Sequence, residues 1–491
     1  MNAAAAPAVA PSPAAGAGAA RRVAIVARKE LRGALRDGRV LAGACVLLLL
    51  GMVALASAGA RYANVSRERA VAQALIQEQW TQQGEKNPHS AAHYGIYAFR
   101  PALPLSFFDP GVLSYEGVSI WLEAHKRNFA AGRPADDMTA LARFGELSLG
   151  FVFQALVPLG LLLMAYAAFS SERESGTLRQ LLASGVTPAQ LFVGKFLGLG
   201  GAALLLLAPL LLLCLGVLVV ASGTTWLPAA LALLVAYAGY GALVLLLALT
   251  VSARASTSQA ALLVLLAFWA VITFVVPRIA ADLGRVLQPT PTLGDFQRGV
   301  DADLATGLGR ESPAAQVEKR REQLLKLYKV EREQDLPINF QGIVFGIQDE
   351  VSNAVYDKHF GILERAVDAQ VDVFEAATVL SPRMALAMIS QELAGTSLQH
   401  QRHFERGAEA FRRRLMDILN RDIAMNSRSG QADYRAGPDL WRNTGEYRFE
   451  PEPLRASLAR SAAPLTVLVL WFAVLVGASI ATTRRLRVLA T

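Results

Sequence analysis

The chain of 491 residues reads as an all-α polytopic membrane protein: six transmembrane helices with two extracytoplasmic, mainly helical insertions, after spans one and five. Two observations predict this class. At 53% hydrophobic, with a mean hydropathy of +0.34, the chain is too apolar for a soluble domain, yet at 18% charged it is too polar for a bare bundle. Its apolar residues also collect into six runs, and each is long enough for the ~20 residues that a hydrocarbon core requires.

The runs are 40–59, 147–169, 196–221, 227–251, 255–277 and 461–483. Only SGTTW joins the third to the fourth, so they pair as a hairpin. SAR separates the fourth from the fifth, and Arg254 there is costly at a membrane centre, which places it in a short interfacial loop. With the N-terminus inside, the cytoplasmic pieces are 1–39, 170–195, 252–254 and 484–491. Together they hold 14 Lys and Arg against 4 Asp and Glu, whereas 60–145 and 278–460 hold 34 against 35. The basic excess therefore falls on one side, as positive-inside topology requires. It accounts for the net charge of +8 without a nucleic-acid partner.

Before span one, 1–20 is Ala/Pro/Gly-rich and reads as disordered, without the basic start of a signal peptide. Arg21 to Arg39 alternates arginines with Val23, Val26, Leu31 and Leu35 at helical spacing. That pattern suits an amphipathic helix on an anionic leaflet; the plainer reading is a basic flank that only fixes topology. The first insertion, 60–145, opens with a polar helix that prolongs span one. Pro101, Pro104, Pro110 and Gly111 then break regular structure. The second, 278–460, reads mainly helical, over 316–334, 346–378 and 400–425, and is large enough to hold its own core. Pro158 marks a possible kink in span two. Gly194, Gly198, Gly200, Gly201, Gly239 and Gly241 suit close helix packing.

Chemistry concentrates in 170–195. Ser171 or Ser175 suits a helix cap, Glu172 and Glu174 favour a first turn, and Gly176 permits a bend. Leu178, Leu181 and Leu182 form a small apolar face, and Thr187-Pro188 starts a second helix that runs into span three. Such a knob could dock on a soluble partner, or it could be an ordinary loop between spans. Gly194-Lys195 is no phosphate cradle, because Phe196 follows it and Ala189 stands where a P-loop needs glycine. Cys45 and Cys214 lie in apolar runs and support neither a disulfide nor a thiolate metal site.

The six histidines, His89, His93, His125, His359, His400 and His403, all fall in the insertions. His400 and His403, three apart on a helix, are the weak candidates for a metal, with no third ligand evident from spacing. The expectation is no metal and no catalytic residue in this chain. Asp109, Glu123 and His125 are not placed together by spacing and make no acid–base set.

The pattern Glu172-Arg173-x-x-Gly176-Thr177-Leu178-x-x-Leu181-Leu182, followed by Thr187, Leu191 and Gly194-Lys195, resembles the coupling segment of ABC-2 type transporter permeases. The basic helix before span one is similar to their N-terminal elbow. Gly185 departs from the pattern, standing where the family usually has proline. Residues 93–128 and 380–420 resemble the enlarged DUF3526-like permeases. The resemblance implies a permease subunit, with coupling residues Glu172, Arg173, Gly176, Thr177, Leu178 and Leu181. It further implies a separate ABC ATPase that carries ATP and Mg, a second permease copy or paralogue, contact with membrane lipid, and export across a bacterial cytoplasmic (inner) membrane with both termini cytoplasmic. Two other classes stand beside it. A secondary transporter would need ionisable groups within its spans, and these are essentially missing. A membrane-anchored sensor using 278–460 would need an output domain, which the tail 484–491 is too short to supply.

Overall fold

The computed structural model describes residues 13–138, 147–309, 311–431 and 433–488. Among them, six helices are long and apolar enough to cross a membrane: Gly38–Thr81, Leu149–Glu174, Pro188–Ser222, Leu227–Arg254, Ser258–Leu287 and Ala462–Leu486. We call them spans one to six. Asp37 caps span one by accepting from the Arg39 backbone N–H at 2.8 Å. At 44 residues this helix is about 66 Å long, roughly twice a hydrocarbon core, so its second half projects into the first insertion.

Ahead of span one, the helix Pro13–Ala34 packs along the beginning of span three. Glycine makes that approach possible. A Cβ on Gly194 would lie 2.6 Å from the Val26 side chain, and one on Gly198 would lie 2.5 Å from the Ala27 carbonyl oxygen. The other glycines read as packing sites have more room, with Gly200, Gly201 and Gly241 at 3.6 Å or more from a neighbour and Gly239 in open space.

Spans two and five share a deviation. Val152–Leu156 and Val271–Val275 are π-helical, and each ends two residues before a proline, Pro158 and Pro277. Proline has no N–H to give the preceding turn, so carbonyls there need other donors. Trp269 Nε1 donates to the Ala155 carbonyl at 2.9 Å, Ser381 Oγ to Ile272 at 2.8 Å, and Arg383 to Thr273 at 3.3 Å. The irregularity expected at Pro158 is thus a π-turn stitched to span five, and its counterpart in span five is stitched to the second insertion.

The first insertion departs from mainly helical structure. After the short helix Pro88–Tyr94 it forms an antiparallel sheet of β1 (Ile96–Phe99), β2 (Ser119–Glu123) and β3 (Lys126–Arg127), with Tyr97 opposite Trp121. Ile96, Ala98, Ile120 and Leu122 face inward and share a core with Trp80, Phe404, Phe411 and Trp441. Both insertions and the tip of span one therefore bury one common apolar face. The prolines do keep 100–118 irregular apart from the 3₁₀ turn Pro104–Phe107.

In the second insertion the long helices are Pro313–Tyr328, Phe340–Ala376 and Leu398–Asn426. A further helix, Pro382–Ala394, leaves this domain and sinks Ala385, Leu386, Ile389 and Leu393 into the same core as the spans.

Candidate functional site: the hairpin between spans two and three

The last turn of span two and the segment after it fold as two short helices, Ser170–Glu174 and Thr177–Ala183, ahead of the helix from Pro188. Gly176, at φ +76°, makes the sharp bend between them and is the N-cap of the second. Neither Ser171 nor Ser175 caps a helix start: Ser171 Oγ donates to the Ala167 carbonyl, and Ser175, whose Oγ pairs with Thr177 Oγ1, is instead the C-cap of the first short helix. Gly185, at φ +86°, closes the second helix in a backbone conformation that proline cannot adopt. Thr187 and Gln190 form a reciprocal capping box that starts span three.

The six residues singled out by pattern fall into two groups. Glu172, Arg173 and Leu178 turn inward. Leu178 is buried, and Leu181 is half-buried against the same core. The Arg173 guanidinium donates to the carbonyls of Ala253 and Ala255, where span four ends. Its neighbour Glu174 accepts from the backbone N–H and the hydroxyl of Ser258, at 2.9 and 2.8 Å, where span five starts. The hairpin thus grips the turn between spans four and five as well as its own two spans. Gly176 and Thr177 face outward, together with Ser175, Arg179, Gln180, Ala183 and Ser184.

Beneath the hairpin lies an ion network that spacing did not disclose. Lys195 is 1% exposed, and its Nζ stands 2.9 Å from Glu30 and 2.8 Å from Glu172. Lys29 reaches the same two carboxylates at 3.1 and 3.0 Å. The four charges alternate, so the buried Lys195 faces two anions, the condition under which burial of charge is tolerated, while Lys29 reaches them from the exposed side. Burial works against the Glu30 carboxylate, yet Lys195 and then Lys29 outweigh it and hold its pKa below the ordinary value. Lys29 also feels burial, and Glu30 and Glu172 nevertheless raise its pKa. The first helix, the hairpin and span three are joined at this point. The Gly194-Lys195 pair singled out in the sequence is the seat of that network: the glycine admits the first helix and the lysine binds it.

The pattern of helices and hairpin has a counterpart in family comparisons. Residues 139–292 match the ABC-2 family transporter protein family, and residues 296–450 match DUF3526, a domain of unknown function. The chain is an ABC-2 type permease with a DUF3526 domain. No curated protein matches it. The first match takes in the hairpin and spans two to five, while the first helix, span one and the sheet-bearing insertion lie outside both. A permease of this family is a membrane transport component of an ABC system that includes an ATPase, and is not itself the catalytic enzyme.

Elsewhere in the permease, the rings of His400 and His403 are hydrogen-bonded. His400 Nδ1 pairs with Ser397 Oγ at 2.9 Å and its Nε2 with Ser457 Oγ at 3.3 Å, while His403 Nε2 pairs with the Glu450 carbonyl at 2.8 Å. Among the described residues, Asp109 bonds neither Glu123 nor His125. Its carboxylate accepts from Ser390 Oγ, from Gln154 Nε2 at 3.0 Å and from the Gly111 N–H at 3.1 Å. Tyr237 OH bridges Gln154 and Ser390, at 2.9 Å to each. Burial raises the Asp109 pKa despite those three donors. This neutral-donor cluster joins the first insertion, spans two and four, and the helix Pro382–Ala394.

Proposed function

We propose that this permease couples to a separate ATPase through the hairpin at 170–195, and that the hairpin passes displacement into spans two and three and the first helix. In this reading the hairpin and both termini are cytoplasmic, the insertions are extracytoplasmic, and the membrane is a bacterial inner membrane. ATP and Mg bind the partner, the permease works as a dimer with a second copy or a paralogue, and transport is outward. The observation that carries the reading is the division of the hairpin into an outward face, Gly176, Thr177, Arg179 and Gln180, and an inward set of charges that binds it to three helices. A rigid element that exposes one face to solvent and anchors the other transmits motion, because packed elements move as bodies. A groove of about 720 Å³ between spans one, two and three has mostly apolar walls, with Glu30, Asp37 and Arg39 among the residues that line it. It is the place in this reading where lipid or the second permease packs.

The test is co-purification and hydrolysis with the ATPase. Arg179→Glu should reduce capture of the ATPase about tenfold, while Glu172→Ala should retain capture and lose transport-stimulated hydrolysis. If both variants capture and stimulate the ATPase as the parent does, the hairpin is not the coupling element.

A further inference from the structure

Three histidines that spacing left scattered are brought together just past the tip of span one. His89 and His93 lie one helical turn apart on Pro88–Tyr94, and His125 occupies the two-residue turn between β2 and β3. One ring nitrogen of each lies within 4.8 Å of the others. The Nε2 atoms of His89 and His93 are 3.1 Å apart. Ligand nitrogens around a tetrahedral ion with metal–nitrogen bonds near 2.05 Å stand about 3.3 Å apart.

The backbone holds this arrangement in place. His125 sits at φ +58°, a conformation uncommon outside glycine. The N–H of Ala124, its neighbour in the turn, donates at 3.0 Å to the Ala92 carbonyl, on the helix that carries the other two rings. Behind His125 stands a carboxylate: Asp349 Oδ1 is 2.8 Å from His125 Nδ1 and accepts the His125 backbone N–H at 3.1 Å. Asn420 fixes the other oxygen of Asp349 at 2.7 Å. The carboxylate stands at ion-pair distance from His125 Nδ1 without an aligned hydrogen bond to it, close enough to become the partner that a metal-bound imidazole takes up. Packing accounts for part of the cluster, since His89 stacks on Phe345 with centroids 3.5 Å apart. It does not account for three imidazoles converging, nor for His89 Nδ1 and His125 Nδ1, both buried without a hydrogen-bond partner among the described residues.

We propose that His89, His93 and His125 bind one divalent transition-metal ion of the zinc class, with Asp349 as the positioning residue behind His125. Three imidazoles without a carboxylate ligand suit Zn²⁺, Cu²⁺ or Ni²⁺ and not Mg²⁺ or Ca²⁺. His93 is exposed, which leaves an entry path and a coordination position open to water. Because the three ligands belong to the first insertion and Asp349 to the second, the ion would tie the two insertions together.

The test uses the full chain in nanodiscs, purified without a histidine tag and dialysed against Zn²⁺ in excess Mg²⁺. The parent should bind one Zn²⁺ per chain, and Co²⁺ in its place should give the intense visible absorption of a four-coordinate site. His93→Gln, at an exposed position, should weaken Zn²⁺ binding at least tenfold. Asp349→Asn should weaken it about tenfold through orientation alone, while His400→Gln and His403→Gln should leave it unchanged. Absence of stoichiometric Zn²⁺ binding by the parent would overturn the site, as would binding that survives His93→Gln.

Discussion

At the hairpin end of the bundle, four alternating charges, Lys29, Glu30, Glu172 and Lys195, hold three elements together. At the insertion end, a single buried carboxyl, Asp109, does a similar job with neutral donors from Ser390, Gln154 and Gly111. Removing one member therefore has different consequences at the two ends. A charge network loses neutrality and leaves an ion stranded, whereas a hydrogen-bonded carboxyl can stay protonated and lose little. The end read as taking a mechanical load is built so that its parts separate at high cost. The other is built so that its charge state can change without disassembly.

The largest effect is expected at Lys195. Lys195→Met should destabilise the hairpin end by about 3 kcal/mol, the low end of the range for a broken buried pair because Lys29 still faces both carboxylates. Thermal unfolding in nanodiscs, with protease access to the hairpin, measures this. A loss below about 1 kcal/mol would mean the network is largely solvent-screened and the contrast between the two ends is false. Next comes Gly198→Val, which forces a side chain against the Ala27 carbonyl, 2.5 Å from an ideal Cβ. Overpacking of this kind costs about 2 kcal/mol. It should lift the first helix from span three, seen as faster tryptic cleavage at Arg28 and Arg32.

The smallest effect is expected at Asp109. Its folded-state pKa is raised above the ordinary 3.8, so folding favours the protonated form, and this group's stability contribution is lost as pH rises from near 3.8 to the folded value. Asp109→Asn should flatten that slope and cost less than about 1.5 kcal/mol at its low-pH end. Unfolding measured from pH 4 to pH 8 tests it, and an unchanged slope would show that Asp109 is already ionised in the folded protein.

The six spans were legible because length and apolarity alone specify a membrane helix, and Gly194 and Gly198 already signalled a close helix approach. Their partner was not legible, since nothing local in Val26 or Ala27 says which helix they will meet. The sheet could have been found: IYAF and SIWLE bury alternate residues, a period-two signal overshadowed by the prolines between them. At the hairpin, the pattern marked a segment but could not say which side chains face inward. Glu172 and Arg173 turn in because Lys195 and the carbonyls ending span four wait there, and those partners come from 23 and about 80 residues away. His89, His93 and His125 were missed for a similar reason. The i,i+4 pair was visible, but the third ring arrives through a hairpin turn whose register only the folded sheet sets.

The central claim, that the outward face of the hairpin touches the ATPase while its inward face holds the permease together, can be tested by cysteine crosslinking. With Cys45 and Cys214 replaced by alanine, Gln180→Cys should crosslink to the ATPase with a yield that changes on nucleotide addition. Leu178→Cys, two residues away on the buried face, should not. Equal crosslinking from both positions, or none from Gln180→Cys in a complex that still co-purifies, would contradict the account.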